Sequence, residues 1–565
     1  MTTIIRKSGW MCASAALVIL AASLQGCGND NDAGSNDTPQ AQVANGGGNA
    51  SGSSAAQGGS ASAGSGGSAS DVASAPRCPE MTDGIDESKT FTWMYSVGNT
   101  SFDPDKITTN NSQMYLFPIY DSLVYINDSG KPEPMLATSW KLIENGNTLE
   151  FKLRENWTYH DGTPFDADSV KANIERSKTM PGSFNANSLE PIESVEVVDA
   201  HTVRLHTNGG AGALVGVLGG SAGMMMSPEA FDKSGEDIKP TGGSGPFRMA
   251  NYQPGNRVEY TAVDNYWDDD AQNVARMVYL ISGDDNARLN AVITGAADST
   301  FLRASMYEPA KEAGLVVCQR PSLSSYNIKL NTQRSEFDDK RVRKAISYAI
   351  NRESVKQVTN GFCEPSRQLF PPSYFASSPT VDDVELYDPE KAKQLLADAG
   401  LPDGFSFDLE VINLSLYQQI AEIVQYNLAQ VGIQMSITPK SIGLLSENFS
   451  VKKSADATLE EQKASSDPSI LTSEYYLADG FGNPGGYTTE EITRLNNEAM
   501  NSADADKRAA VYAKLFDAVA EEAYPNITLC HLTTPFAMNS SVVGLNIHTD
   551  GARQFRGVGI DPSRK

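Results

Sequence analysis

Few side chains suited to catalysis or metal binding occur in this chain at an informative spacing. Of the five histidines among 565 residues, His201 and His206 lie five apart in a stretch typical of a strand, which puts them on opposite faces. Neither the phosphate-binding pattern Gly-x-x-x-x-Gly-Lys-Ser/Thr nor the zinc pattern His-Glu-x-x-His occurs. We therefore expect no enzyme, no catalytic residue, no metal site and no cofactor, and we rank a secreted hydrolase last among the functions.

Cys27 is the one cysteine whose position indicates a modification. Arg6 and Lys7 precede an uncharged run over residues 9–24, the order of a secretory leader, and Leu24-Gln25-Gly26-Cys27 resembles the bacterial lipobox. The chain that follows is rich in Gly, Ser, Ala and Asn and has almost nothing to bury, which is typical of a flexible tether. We predict a signal peptide at 1–26, lipidation of Cys27 and a flexible linker over 27–88.

Charge and length limit the function further. The formal net charge is −25, which disfavours nucleic acid or an anionic membrane surface as a partner. The part beyond the linker, about 480 residues, is larger than one hydrophobic core usually serves, so two or three lobes are expected.

Four further cysteines lie in the exported part, and their spacing shows no paired metal-ligand pattern. They are Cys78, Cys318, Cys363 and Cys530. Two disulfides in three possible connectivities are open to them in an oxidising compartment. Because Cys78 lies at the edge of the linker, we expect at least one bond within the other three.

The remaining chain alternates strand and helix patterns. Leu149, Phe151 and Leu153 alternate with charged residues, which predicts a half-buried strand. The run 340–350 places its apolar residues on one stripe, and the run 388–400 begins with a cap and a proline and ends with Gly400, so both predict helices. Helices that lead directly into strands indicate an α/β fold.

Five segments carry a resemblance to a known family. They are SFDPDKITTNNSQMYLFPIYDSLV, PMLATSWKLIENGNTLEFKLRENWTYHDGTPFDADSVKANIER, GGSGPFRMANYQPGNRVEYTAVDNYW, FDDKRVRKAISYAINR and YDPEKAKQLLADAG. In this order they resemble the blocks of bacterial extracellular solute-binding proteins of family 5, the dipeptide, oligopeptide and nickel class that serves ABC importers. The resemblance covers nearly all of the chain beyond the linker.

The resemblance implies a two-lobed fold of the periplasmic-binding-protein type (type II, the large three-domain class). Lobe I would combine residues 89–122, 240–320 and 533–565, with domain II (123–239) packed on it, and lobe II would be 321–532. The chain would cross between the lobes near Ser325-Tyr326-Asn327 and near Leu532-Thr533. Ligand would bind between the lobes and be enclosed by hinge closure.

The resemblance also suggests ligand-binding residues. The predicted contacts are Tyr95, Gly243, Ser244, Tyr326, Asn327, Tyr417 and Asp467. In dipeptide binders of the family an acid near an Asp-Pro pair holds the ligand amino group, and here Asp467-Pro468 remains while the preceding Trp and Asp are replaced by KASS. We favour Asp467 as a helix cap over a ligand contact. The loop VINLSLYQQIAE also lacks the arginine that pairs with a ligand carboxylate, so both charges of a dipeptide clamp are in doubt. Met224, Met225 and Met226 are expected to fill a core rather than to line the site.

The predicted function is that of a lipid-anchored, monomeric, extracytoplasmic receptor of an ABC importer. Its partners would be a peptide or other small solute, the permease subunits and, through the lipid alone, the membrane. Nickel ranks below peptides and sugars because no histidine cluster is evident. A solute sensor or envelope factor with the same fold remains the alternative. Two cellular locations stay open, the outer face of a Gram-positive membrane and the periplasm.

Overall fold

The structure is a computed structural model, and it describes residues 78–107, 109–233, 240–381, 387–465, 467–545 and 554–564. The predicted signal peptide, Cys27 and the linker up to residue 77 lie outside the described residues.

Nineteen strands are defined in the described residues. They are β1 (Thr90–Tyr95), β2 (Val124–Ile126), β3 (Pro132–Pro134), β4 (Ala137–Ile143), β5 (Thr148–Leu153), β6 (Ile192–Asp199), β7 (Thr202–Thr207), β8 (Phe247–Gln253), β9 (Arg257–Ala262), β10 (Arg276–Ile281), β11 (Ser299–Phe301), β12 (Val316–Leu330), β13 (Cys363–Pro365), β14 (Ser406–Ile412), β15 (Gln434–Lys440), β16 (Ala457–Gln462), β17 (Asn526–Met538), β18 (Val542–Val543) and β19 (Gly559–Ile560).

The α-helices of the same residues number thirteen. They are α1 (Ala167–Thr179), α2 (Leu214–Val217), α3 (Asp285–Ile293), α4 (Tyr307–Glu312), α5 (Ser335–Asp338), α6 (Lys340–Ala349), α7 (Arg352–Val358), α8 (Pro389–Asp398), α9 (Ser415–Ala429), α10 (Ile442–Ser446), α11 (Pro468–Tyr476), α12 (Glu490–Met500) and α13 (Ala505–Glu521).

One eleven-stranded mixed sheet runs through the two lobes. Its order is β15-β14-β16-β12-β17-β11-β1-β10-β9-β8, with β13 paired to β17. We call the part with β1 and β8–β11 lobe I and the part with β13–β16 lobe II. Only β12 and β17 belong to both, and they pair antiparallel along most of their length. The mixed α/β fold predicted from the sequence is confirmed.

The strand directions bring the carboxyl ends of the two lobes' strands toward each other. β17 runs from lobe II to lobe I and is antiparallel to β11, which is followed in the sheet by the parallel strands β1 and β10. These three strands therefore end toward lobe II. β16 is antiparallel to β12 and parallel to β14, and β14 is parallel to β15, so these strands end toward lobe I. Ligands of open α/β sheets bind outside such carboxyl ends.

A separate four-stranded sheet, β4-β5-β7-β6, forms a small domain with α1, α2 and the β2–β3 hairpin. Its core lies within residues 123–225 and packs Leu149, Phe151 and Val170 among others. Asp166 caps α1 through a hydrogen bond from the amide of Ser169, whose hydroxyl group faces back to the Asp166 backbone. The β2–β3 hairpin and residues 210–212 of this domain reach lobe II.

The lobes have their own hydrophobic cores. Lobe I packs an aromatic core that includes Phe91, Trp93 and Tyr279, together with Met224 and Met226, while Met225 lies in the core of the small domain. Lobe II packs α6–α9 on one face of its sheet and α11–α13 on the other. The three methionines therefore fill cores, as the sequence analysis favoured.

Two disulfides fix the pairing that the sequence left open. Cys363 bonds to Cys530 in lobe II, and Cys78 bonds to Cys318 on β12. The bond expected within the other three cysteines is thus present, and Cys78 is bonded as well. Residues 78–88 also hydrogen-bond to the C-terminal segment, where the amide of Asp86 donates to the carbonyl oxygen of Ile560 at 2.9 Å.

In the part of the chain that the structure describes, no helix has both the length and the apolar character needed to cross a membrane.

Candidate ligand-binding cleft

A cavity of about 250 Å³ lies between lobe II and the surface formed by lobe I and the small domain. Leu323, where β12 passes between the lobes, forms part of its wall. The lobe II wall consists of Tyr374, Ala464, Ser465 and Ile470. The opposite wall consists of Gln113, Phe117, Ile126, Gly130, Phe184, Asn185, Ser188, Gly216, Val217, Gly219, Gly220, Ser221, Ala222 and Gln554. The cavity thus lies between the lobes, where the strand directions predict a binding site.

The part of the cavity wall that the described residues form is electrically neutral. None of the described lining residues carries a charged side chain, and the polar groups are amides and hydroxyls together with the backbone of a glycine-rich segment over residues 216–223. Such groups can position a ligand by hydrogen bonds without requiring a counter-charge.

Asn185 is a polar residue of the cavity wall that the protein holds in place. Its Nδ2 donates to the carbonyl oxygen of Pro104 at 3.1 Å and to Asp105 Oδ1 at 2.9 Å, and its Oδ1 accepts from Ser221 Oγ at 2.7 Å. Asp105 in turn bonds to Arg176. These bonds hold the Asn185 side chain in place as a fixed part of the wall.

Gly219-Gly220-Ser221-Ala222-Gly223 has the Gly-x-Ser-x-Gly spacing of a hydrolase nucleophile elbow. In those enzymes the serine lies on a turn between a strand and a helix and is activated by a histidine. Here residues 221–223 form a short 3₁₀ turn, Ser221 is buried, and its hydroxyl donates to Asn185. The geometry of this segment is that of a wall and not that of a nucleophile.

Tyr95, Gly243 and Ser244 lie in or beside the core of lobe I. Tyr95 is buried at the end of β1 against Phe301 and Trp93. Ser244 Oγ donates to the carbonyl oxygen of Met225 at 2.7 Å and accepts from the amide of Asp121 at 3.0 Å. Gly243 approaches protein backbone closely, since a Cβ there would lie 2.5 Å from the carbonyl oxygen of Ile119. All three lie outside the described lining of the cavity.

Tyr326 and Tyr417 lie together on the α9 side of the lobe II sheet. Their rings meet edge to face at 5.5 Å, and Tyr417 Oη donates to Glu461 Oε2 at 3.2 Å. Burial is the main cause that raises the pKa of Tyr326 to about 12, and the nearby Glu461 carboxylate adds to the increase. The same two causes raise the pKa of Tyr417 further. Both phenols therefore stay protonated and can act as donors.

Asn327 lies on the opposite face of β12 and is fully buried. Its Nδ2 donates to Ser325 Oγ at 2.8 Å, while its Oδ1 has no partner among the described residues. Of the predicted contacts, Asn327 is the one that retains a buried polar atom without a protein partner, which is uncommon in folded proteins.

Asp467 is occupied by the protein itself. It caps α11, accepting from the amide of Ser469 at 2.9 Å, and forms a two-point ion pair with Arg508 at 2.7 and 2.8 Å. Both side chains are almost fully buried, at 1% and 2% exposure, and although burial opposes it, the Asp467 charge raises the pKa of Arg508. The favoured interpretation of Asp467 as a cap agrees with this geometry, and Arg508 was missed.

The sequence analysis also missed most of the cavity wall. Tyr374 and Ile470 belong to no block that resembles the family, and the glycine-rich run 216–223 was considered only for its neighbouring methionines. The density of glycines there was the one signal that could have indicated close approach to a ligand.

Groups of three or more histidine, cysteine, aspartate or glutamate side chains arranged to hold a metal ion do not occur in the described ranges. His160 packs between the small domain and lobe I, with its Nε2 2.8 Å from the carbonyl oxygen of Gly245.

Comparison with known proteins agrees with the fold. The family model described as bacterial extracellular solute-binding proteins, family 5 Middle, matches residues 131–480. The glutathione-binding protein GsiB of Salmonella paratyphi A is 32% identical over 354 residues, which cover 61% of this chain and 68% of that protein.

Two solved structures show the same fold. HbpA2 from Haemophilus parasuis has a TM-score of 0.76 at 23% identity and covers 84% of this chain and 100% of its own. The periplasmic binding protein DppA from Helicobacter pylori, in complex with the peptide STSA, has a TM-score of 0.62 at 24% identity and covers 84% and 98%. The chain therefore belongs to the bacterial extracellular solute-binding proteins of family 5.

Proposed function

We propose that this protein is a lipid-anchored receptor that captures a peptide or other small solute between its lobes and delivers it to the permease of an ABC importer. The observation that carries the proposal is the cavity between the lobes, at the facing carboxyl ends of the lobe I and lobe II strands. No chemical change of the ligand is part of this function.

The crossing strands provide a mechanism for closure. Their pairing is irregular where they pass between the lobes, since Pro321 pairs with Thr533 but the next pair is Ser325 with His531. Two additional residues on β12 are thus accommodated without regular pairing, and such a bulge bends and weakens a sheet locally. We place the hinge here, next to both crossings expected from the sequence.

The ligand is held without the charged clamp of dipeptide binders. Asp467 is neutralised by Arg508, so it offers no free carboxylate to a ligand ammonium group. A peptide held mainly by hydrogen bonds to backbone and amide groups fits the described wall. We therefore retain the hypothesis that the ligand is an oligopeptide. Asn327 keeps an unpartnered Oδ1, but it is fully buried and lies outside the described lining of the cavity.

The anchor explains how such a receptor remains near its permease. Lipidation of Cys27 would tie the folded part to the membrane through a polar linker, and tethering raises the concentration of a receptor near its partner.

Native mass spectrometry tests the proposal on protein that starts after Cys27 and is purified without denaturation. We expect a stoichiometric adduct of small mass that is lost on denaturation. An adduct that the protein converts to a product would contradict the receptor function. Absence of an adduct, together with no thermal shift by peptides, sugars or metal chelates, would favour the sensor alternative.

A further inference from the structure

Half of the large exposed apolar side chains lie in the cavity wall or follow strands that end toward the opposite lobe. In the described residues, twelve large apolar side chains are exposed; two of them line the cavity, and four come after the carboxyl ends of β1, β14 and β15. These six are Val97, Phe184, Leu414, Ile442, Leu444 and Ile470. Scattered exposure of such residues is ordinary, whereas a cluster on facing surfaces indicates a binding region.

The cluster has members on both sides of the cleft. Val97 follows the end of β1 in lobe I, and Leu414 and Ile442 follow the ends of β14 and β15 in lobe II. Phe184 and Ile470 lie on opposite walls of the cavity. An apolar group of a ligand placed between Phe184 and Ile470 would contact both walls of the cavity and would remove these two side chains from water.

The described wall offers no compensation for a buried charge. Transfer of an ionised group into such an environment is costly unless an opposite charge accompanies it. Glu461, at the end of β16 in lobe II, is itself engaged by Tyr417 at 3.2 Å and by Lys463 at 2.6 Å. The surface thus favours ligands whose enclosed part is neutral.

We propose that the ligand is a small peptide-like solute whose enclosed part is apolar and uncharged, with aliphatic or aromatic side chains. This inference rests on the proposed receptor function and specifies its ligand class. It separates this protein from a receptor for glutathione, a tripeptide with several ionised groups.

The test compares defined probes by isothermal titration calorimetry on protein that starts after Cys27. The probes are trileucine, its acetylated and amidated form, triglutamate, trilysine and glutathione. We expect the two leucine peptides to bind at least tenfold more tightly than the other three, with the blocked form binding at least as well as the free one. Tighter binding of glutathione, triglutamate or trilysine would overturn the inference and leave the receptor function intact.

A matched pair of variants locates the effect. Ile470 on α11 and Ile293 at the end of α3 are similarly exposed, at 40% and 45%, but Ile470 lines the cavity and Ile293 lies outside the cavity lining. Ile470→Lys should weaken trileucine binding at least tenfold and improve triglutamate binding, while Ile293→Lys should change neither. Equal affinities of both variants and the parent would overturn the inference, and failure of every probe to bind, with no adduct in native mass spectrometry, would overturn the receptor function as well.

Discussion

Asp467 and Arg508 form a deeply buried ion pair in lobe II, and they illustrate how a residue at a family position acquires another role. The carboxylate accepts two hydrogen bonds from one guanidinium group and caps a helix, so little of its hydrogen-bonding capacity remains. The pair therefore supports lobe II and leaves the neutral cavity without an acid from this position.

Replacement of Asp467 by Ala should strongly destabilise the protein. Arg508 would be left as an uncompensated buried charge, which typically costs about 3–5 kcal/mol. Urea denaturation followed by tryptophan fluorescence measures the change. Glu491→Ala, which breaks the exposed pair with Arg494, is the control and should cost less than about 1 kcal/mol. A stable Asp467→Ala variant that lost ligand binding would show instead that Asp467 is a ligand contact.

His160 predicts a pH dependence of stability. Burial is the main cause that lowers the pKa of His160 from 6.5 to about 4, and Nδ1 has no hydrogen-bond partner in the described ranges. The unfolded chain therefore binds a proton between pH 6.5 and 4 that the folded protein does not, and stability falls as the pH decreases through this window. The loss approaches about 3 kcal/mol at the lower end.

The measurement compares the parent with His160→Gln in urea titrations at pH 4, 5, 6 and 7. As the pH decreases, the free energy of unfolding of the parent should fall relative to that of the variant. A constant difference across the series would show that His160 is not titrating with a lowered pKa.

At the scale of elements, local signals in the sequence agree with the structure where the interactions are local. The apolar stripe predicted for 340–350 is the buried face of α6, and α8 begins after the cap Asp388 and is followed by Gly400 with a positive φ of 82°. The strand predicted at Leu149–Leu153 is β5. Caps and periodicity depend on residues within a few positions, which is why they could be predicted.

Contacts between elements could not be predicted in this way, and Gly212 is an example. This glycine of the small domain lies against lobe II, where a Cβ would be 2.3 Å from the carbonyl oxygen of Ser502. The neighbouring indole of Trp140 donates to the carbonyl oxygen of Ala503 at 3.3 Å. The backbone amide of Phe375 donates to the carbonyl oxygen of Ser129 at 2.8 Å. The small domain is thus joined to lobe II by backbone contacts at two places.

Gly212→Ala should push these surfaces apart. The contact is with backbone, which cannot move aside as a flexible side chain would, so we expect a loss of about 1–3 kcal/mol. Small-angle scattering should also show a change in the interdomain distances. Gly443→Ala in α10, where no atom lies within 4 Å of the added Cβ, is the control and should be neutral or slightly stabilising. Equal behaviour of the two variants would contradict a tight contact at Gly212.

At the scale of the whole molecule, the two disulfides join segments that are distant in sequence. Cys78 and Cys318 are separated by 240 positions, and Cys363 and Cys530 by 167. The first bond fastens Cys78, near the end of the predicted linker, to β12. The second bond holds β13 to β17 in lobe II.

The double variant Cys78→Ser/Cys318→Ser should unfold at lower temperature. Loss of a bond that closes so long a loop typically costs about 2–5 kcal/mol, because the unfolded chain regains conformational freedom. Differential scanning calorimetry measures the midpoint, and limited proteolysis should cleave near residues 78–88 more rapidly. An unchanged midpoint in the double variant would contradict a stabilising role.

The sequence by itself determined the family, the α/β class and the helix caps, because these depend on short stretches of residues and on their order. Only the tertiary structure decided the disulfide pairing, the partner of Asp467, and the neutral wall to which Tyr374, Asn185 and Ile470 contribute. Each of these joins residues that lie far apart in the chain, and their meeting depends on how every intervening element packs. The cleft in particular is formed by strand ends of two lobes, and their direction follows from sheet order, which no local pattern encodes.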